Sequence, residues 1–150
     1  MNLVLCFSLF AISVQSQEKL YKNEFPLEHV SLLNGPFKHA QDLNIEVLLK
    51  YDVNRLLAPY RKEAGLEPKA TSYNNWEGLD GHVGGHYLSA MAINFASTGN
   101  KECKKRMDYM VSEIKIWQEA NAVSNKDWGI GYAGGVPKSK EVWSTFKKGD

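Results

Sequence analysis

The sequence predicts a mainly α-helical fold, and three observations carry that expectation. Apolar residues recur at helical spacing in three long stretches, over residues 38–51, 82–97 and 101–120. Gly99 stands just past the second stretch, where a left-handed residue would stop a helix. Only residues 25–33 alternate apolar and polar side chains, which makes them a lone strand candidate.

Taken in order, residues 1–16 read as a signal peptide. The run from Leu3 to Val14 is too short to span a bilayer, and Val14-Gln15-Ser16 offers small residues for cleavage. Its n-region carries only the amino terminus as positive charge, and a buried N-terminal strand or helix is the alternative. The expected location is exported, periplasmic or extracellular. Cys6 would leave with this segment. Cys103 then remains alone, so neither an internal disulfide nor an all-cysteine zinc site can form. Cys103 itself reads as a small buried residue.

Residues 17–37 form an N-terminal segment whose strand, with Leu27, Val30 and Leu32, ends in the turn Asn34-Gly35-Pro36. It needs a sheet from elsewhere, because the remainder looks helical. Residues 38–150 then form one helical unit. Ala40, Leu43, Val47, Leu48 and Tyr51 mark the first helix. Arg55, Leu56 and Leu57 lead to Pro59, and residues 61–69 read as a polar connection. The third helix should be capped by Asp80, with Leu88, Met91, Ala92, Phe95 and Ala96 as its stripe. In the fourth, Cys103, Met107, Met110, Val111, Ile114 and Trp117 should face inward, with Lys104 and Asp108 paired outside. After Asn121 the pattern dissolves into glycines, Pro137, Trp128, Tyr132, Trp143 and Phe146. That stretch suits either close approach to the apolar faces of sugars or a long loop pinned by its own aromatics.

Composition excludes some partners. The 150 residues are 43% hydrophobic and 23% charged, and 18 basic against 17 acidic residues give a net charge of +1. Nothing here favours nucleic acid or an anionic membrane. The basic runs at 101–106 and 138–148 read as solvated faces.

The densest chemistry lies in residues 76–90, with Trp76, Glu77, Asp80, His82, His86 and four glycines. His82 and His86 lie four apart, on one helical face. Val83 stands where a zinc protease needs its glutamate, so that motif fails. Two readings stand for the pair: lining of a polar site, or a hydrogen-bonded structural pair. Gly84 and Gly85 signal that a helix or a ligand comes close to this backbone.

Several stretches in order now form a pattern: Val30-Ser31-Leu32-Leu33-Asn34-Gly35-Pro36-Phe37, Asn75-Trp76-Glu77-Gly78, Gly81-His82-Val83-Gly84-Gly85-His86-Tyr87-Leu88-Ser89-Ala90 and Gly131-Tyr132-Ala133-Gly134-Gly135-Val136-Pro137. The pattern resembles the N-terminal part of the β-L-arabinofuranosidases of glycoside hydrolase family 127 and the related family 146. The resemblance implies the start of an α/α toroid (six-hairpin barrel), with the N-terminal strand joining a β-sandwich. It further implies a retaining hydrolase with a cysteine nucleophile, a glutamate acid/base and a zinc ion held by cysteines and a glutamate. Those groups lie beyond the matched stretches, and neither Cys103 nor Glu77 corresponds to any of them. The expectation is therefore an N-terminal fragment with no catalytic residue and no metal ligand, inactive alone and marginally stable. The expected sugar-facing residues are Trp76, Glu77, His82, His86, Tyr132 and Gly134, and the expected partner is an arabinose-containing oligo- or polysaccharide. A non-catalytic carbohydrate-binding module and another α/α-toroid enzyme, such as a polysaccharide lyase, are the alternatives.

Overall fold

The computed structural model describes residues 25–73 and 81–149. The expected signal peptide, Trp76, Glu77 and Asp80 lie outside the described residues. Among the described residues, five helices follow a 3-10 turn at Leu27–His29: α1 (Pro36–Leu48), α2 (Val53–Glu63), α3 (His82–Thr98), α4 (Lys101–Ser124) and α5 (Ser139–Lys148). Among the described residues the fold is mainly α, with no strand. The segment expected as a strand makes a 3-10 turn instead, and Val30 caps it with extended dihedrals. A strand holds its shape through a ladder, and the described residues offer this segment no partner edge.

The centre is the α3–α4 hairpin. Gly99, at φ +68°, ends α3, and the Asn100 side chain accepts from the amides of Glu102 (2.9 Å) and Cys103 (3.1 Å) to start α4. This two-residue link folds α4 back along α3, with α2 packed against both. Leu57 and Tyr60 of α2 with Ala64 just after it, Tyr87 and Met91 of α3, and Cys103, Met110 and Trp117 of α4 form the core. Leu88, Phe95, Met107 and Ile114 pack at its edge as partly buried residues, whereas Val111 is exposed.

Three expectations change. Helix α2 runs through Pro59 to Glu63, because Leu57, Ala58, Tyr60 and Ala64 are buried on both sides of the proline. Tertiary burial outweighs the lost backbone bond. Helix α1 turns Ile45 and Leu48 inward and leaves Leu43 and Val47 exposed. Residues 139–148 form α5 where the sequence reads as a loop. Lys138 at its start is left-handed (φ 59°) and supplies no cap; the Glu63 carboxylate instead accepts from the amides of Lys138 (3.2 Å) and Ser139 (3.0 Å).

Two charged groups sit inward. Glu113 is 2% exposed and accepts from Arg61 Nη1 and Lys69 Nζ, both at 2.8 Å. Burial alone would raise its pKa, but the bonds and charges of Lys69 and Arg61 outweigh that and hold the carboxyl below its ordinary value. The connection 61–69 is therefore fastened to α4. Arg106, read as part of a solvated run, donates to the carbonyls of Leu49 (2.7 Å) and Tyr51 (2.9 Å) and to the Tyr87 hydroxyl (2.7 Å). It thereby closes the carboxyl end of α1. Lys104 and Asp108 pair outside as expected.

Candidate functional site

The two glycine-rich stretches meet at the level of the backbone. A Cβ on Gly81 would lie 2.6 Å from the Gly135 Cα, and one on Gly135 would lie 3.0 Å from the Gly81 Cα. Gly81 also holds φ +89° as the residue preceding α3, with no side-chain cap. Only glycine satisfies both demands there. The contact sets the start of α3 against the 131–137 loop.

One turn along α3, a Cβ on Gly84 would lie 2.8 Å from Cε2 and 2.9 Å from the hydroxyl oxygen of Tyr60. The Tyr60 ring in turn stacks on Trp117, with centroids 4.9 Å apart and planes 20° apart. The close neighbour at Gly84 is thus a side chain of α2. Burial pushes the Tyr60 phenol up, against a hydrogen bond with the Gly85 backbone. Gly85 itself is open, with nothing within 4 Å of its missing Cβ.

His82 and His86 are both exposed, and their rings meet edge to face with centroids 5.5 Å apart. His86 lines a half-open cleft of 480 Å³ walled by Tyr51, Arg55, Tyr73, Val83 and Tyr87. The wall is fixed by hydrogen bonds. The Tyr73 hydroxyl accepts from the Asp52 amide (2.9 Å), and the Tyr87 hydroxyl donates to the Leu48 carbonyl (3.0 Å). Arg55 donates through Nε to the Thr71 carbonyl (3.0 Å) and through Nη2 to that of Ser72 (3.4 Å), with its guanidinium carbon 4.0 Å over the Tyr73 ring.

Tyr132 and Gly134 have a different setting. The Tyr132 hydroxyl lies 2.9 Å from that of Ser139, and its ring lies 5.3 Å from Trp128 and 6.1 Å from Trp143. A Cβ on Gly134 would collide with the Tyr132 phenol. Gln118 and Asn121 of α4 hold the carbonyls of Gly131 (2.9 Å) and Tyr132 (3.0 Å). In this stretch flat rings and glycines are packed on one another, which is the loop pinned by its own aromatics. Trp76 and Glu77 lie outside the described residues. Sequence reasoning missed Arg55, Glu113 and Arg106; for Glu113, the spacing from Met110 to Trp117 was the available signal.

The zinc implied by the resemblance finds no donor set among the described residues. No three His, Cys, Asp or Glu side chains converge there, and His82 with His86 supply two nitrogens at most. Cys103 is fully buried, and burial pushes its thiol up, away from the thiolate that zinc or nucleophilic chemistry requires.

The fold thus joins a histidine-bearing helix start to a glycine–aromatic loop. Residues 29–149 match the family model described as the β-L-arabinofuranosidase, GH127 catalytic domain, and the chain belongs to that family. A comparison with curated proteins found no match.

Proposed function

We propose that this chain is the N-terminal portion of an exported glycoside hydrolase that releases L-arabinofuranose from plant-type glycans by a retaining mechanism. The observation that carries the reading is the match of residues 29–149 to the GH127 catalytic domain, and the Gly81–Gly135 contact brings the 131–137 loop to the start of α3, the helix that carries His82 and His86. Trp76, Glu77, His82 and His86 are the sugar-facing groups of this proposal. Tyr132 and Gly134 shape the loop that flanks them.

The packing supports a sector of a larger α/α toroid. Phe37, Leu43 and Val47 on α1, Ile93 on α3, and Val111 and Val123 on α4 are exposed, although each of these helices also buries residues in the core. Helices apolar on two faces suit a ring in which each has neighbours on both sides. In the same proposal, residues 25–33 take strand form when a β-sandwich edge pairs with them.

The chain alone binds without turnover. Cys103 is sealed in the core, and Glu113 is locked between two cations, so neither acts as nucleophile or acid. Titrating the 150-residue chain with an L-arabinofuranosyl oligosaccharide should perturb the His82 and His86 imidazole resonances and release no arabinose. Unchanged binding in His82→Ala and His86→Ala would refute the site, and released arabinose would refute the inactivity.

A further inference from the structure

We infer that the cleft beside His86 takes a ring bearing a carboxylate, as the unit next to the arabinosyl residue of the substrate. This inference rests on the sugar-facing reading given above. The cleft holds 480 Å³, enough for one ring and its substituents. Its surface is mainly carbon. Among the described residues that line it there is no Asp, Glu, Asn or Gln, the side chains that ordinarily bridge neighbouring sugar hydroxyls. The hydroxyls of Tyr73 and Tyr87 are already committed to the Asp52 amide and the Leu48 carbonyl. Tyr51, Ser72 and His86 are its other polar neighbours, and none of them carries a fixed charge.

One charge breaks this carbon surface. Arg55 makes none of the ion pairs among the described residues. Its Nε and Nη2 are used on the Thr71 and Ser72 carbonyls, and its Nη1 has no hydrogen-bond partner among the described residues. A guanidinium fixed by two backbone carbonyls, in a wall of low polarity, complements a carboxylate with little ordering left to do. The rings of Tyr51 and Tyr73 stand 5.9 Å apart, edge to face, beside it and offer apolar surface to the ligand ring. Because the cleft is half open, hydroxyls on the outer side of that ring keep their water.

An acidic sugar and an aromatic acid share this chemistry, and one titration distinguishes them. The full chain is titrated by NMR with D-galacturonate, its methyl ester, benzoate and methyl benzoate, at low and high salt. The expected result is at least tenfold tighter binding of an acid than of its ester, weakened by salt and lost at least tenfold in Arg55→Gln. Binding of galacturonate alone identifies the acidic sugar, benzoate alone identifies the aromatic acid, and binding of both supports the shared recognition. Equal affinity for acid and ester, no binding of either acid, or unchanged affinity in Arg55→Gln would overturn the inference. If Arg55→Gln fails to fold, Ala90→Phe narrows the cleft from α3 and should remove acid binding; retained binding overturns the inference. The neutral arabinofuranosyl oligosaccharide, titrated against the histidine variants, tests the sugar-facing reading separately, so either idea can fail without the other.

Discussion

Adjacent glycines in α3 should respond to alanine with opposite signs. At Gly85 the new methyl meets nothing within 4 Å, so only the backbone term acts. Replacing a helical glycine by alanine gains about 0.5–1 kcal/mol, worth roughly 1–4 °C in melting temperature for a chain of this size. At Gly84 the same gain is opposed by Tyr60, whose Cε2 would sit 2.8 Å from the new methyl. Ordinary contact requires the ring to retreat by about 0.6–1 Å, and it cannot do so without leaving its stack on Trp117, which is 1% exposed. Overpacking of this kind costs about 1–3 kcal/mol, so Gly84→Ala should be destabilised by about 1–2 kcal/mol net. Circular-dichroism melts of the two variants and the parent provide the assay. A Gly84→Ala protein as stable as the parent, or two shifts of the same sign, would refute the stacked Tyr60 wedge.

Further outcomes follow from the buried groups. Glu113→Gln should cost about 2 kcal/mol, less than the ~3–5 kcal/mol of a fully sealed pair because Lys69 is 41% exposed and screened by solvent. The folded pKa of Glu113 lies below its unfolded value, so the carboxylate's contribution is complete at neutral pH and fades as pH falls through the folded value. Urea midpoints of parent and Glu113→Gln should therefore differ at neutral pH and converge as acid protonates the folded carboxylate; a constant gap would count against the pairing. Cys103, in a Cys6→Ser background, should resist a thiol reagent until denaturant is added, and rapid labelling of the native chain would place it at the surface.

Helix α3 can be read from sequence almost to its ends because its stop signal is local. Gly99 is the left-handed residue that terminates it, whatever packs nearby. Its start at His82 is equally local, although the adjoining residue that forms the cap position is Gly81. The edge-to-face histidine pair also follows from spacing along one helix. What escapes the sequence depends on distant partners. Pro59 stays inside α2 because the core takes Leu57 and Tyr60 together. Glu113 sits inward because Arg61, near the end of α2, and Lys69, in the connection that follows, both reach its carboxylate. The contacts of Tyr132 with Ser139 and Gly134 likewise depend on how the loop folds back on itself.

The Glu63 carboxylate at the start of α5 has a consequence for the order of assembly. The bond to Ser139 bridges 76 positions, and it replaces the cap that a short helix normally carries in its own sequence. Ten residues fall below the length at which a helix persists in water unaided, and a left-handed Lys138 in front of them adds no nucleus. Helix α5 must therefore condense late, onto an α2 already in place. The fluorescence of Trp143 becomes a clock for that step, lagging behind Trp117 during refolding and running ahead of it when the chain unfolds.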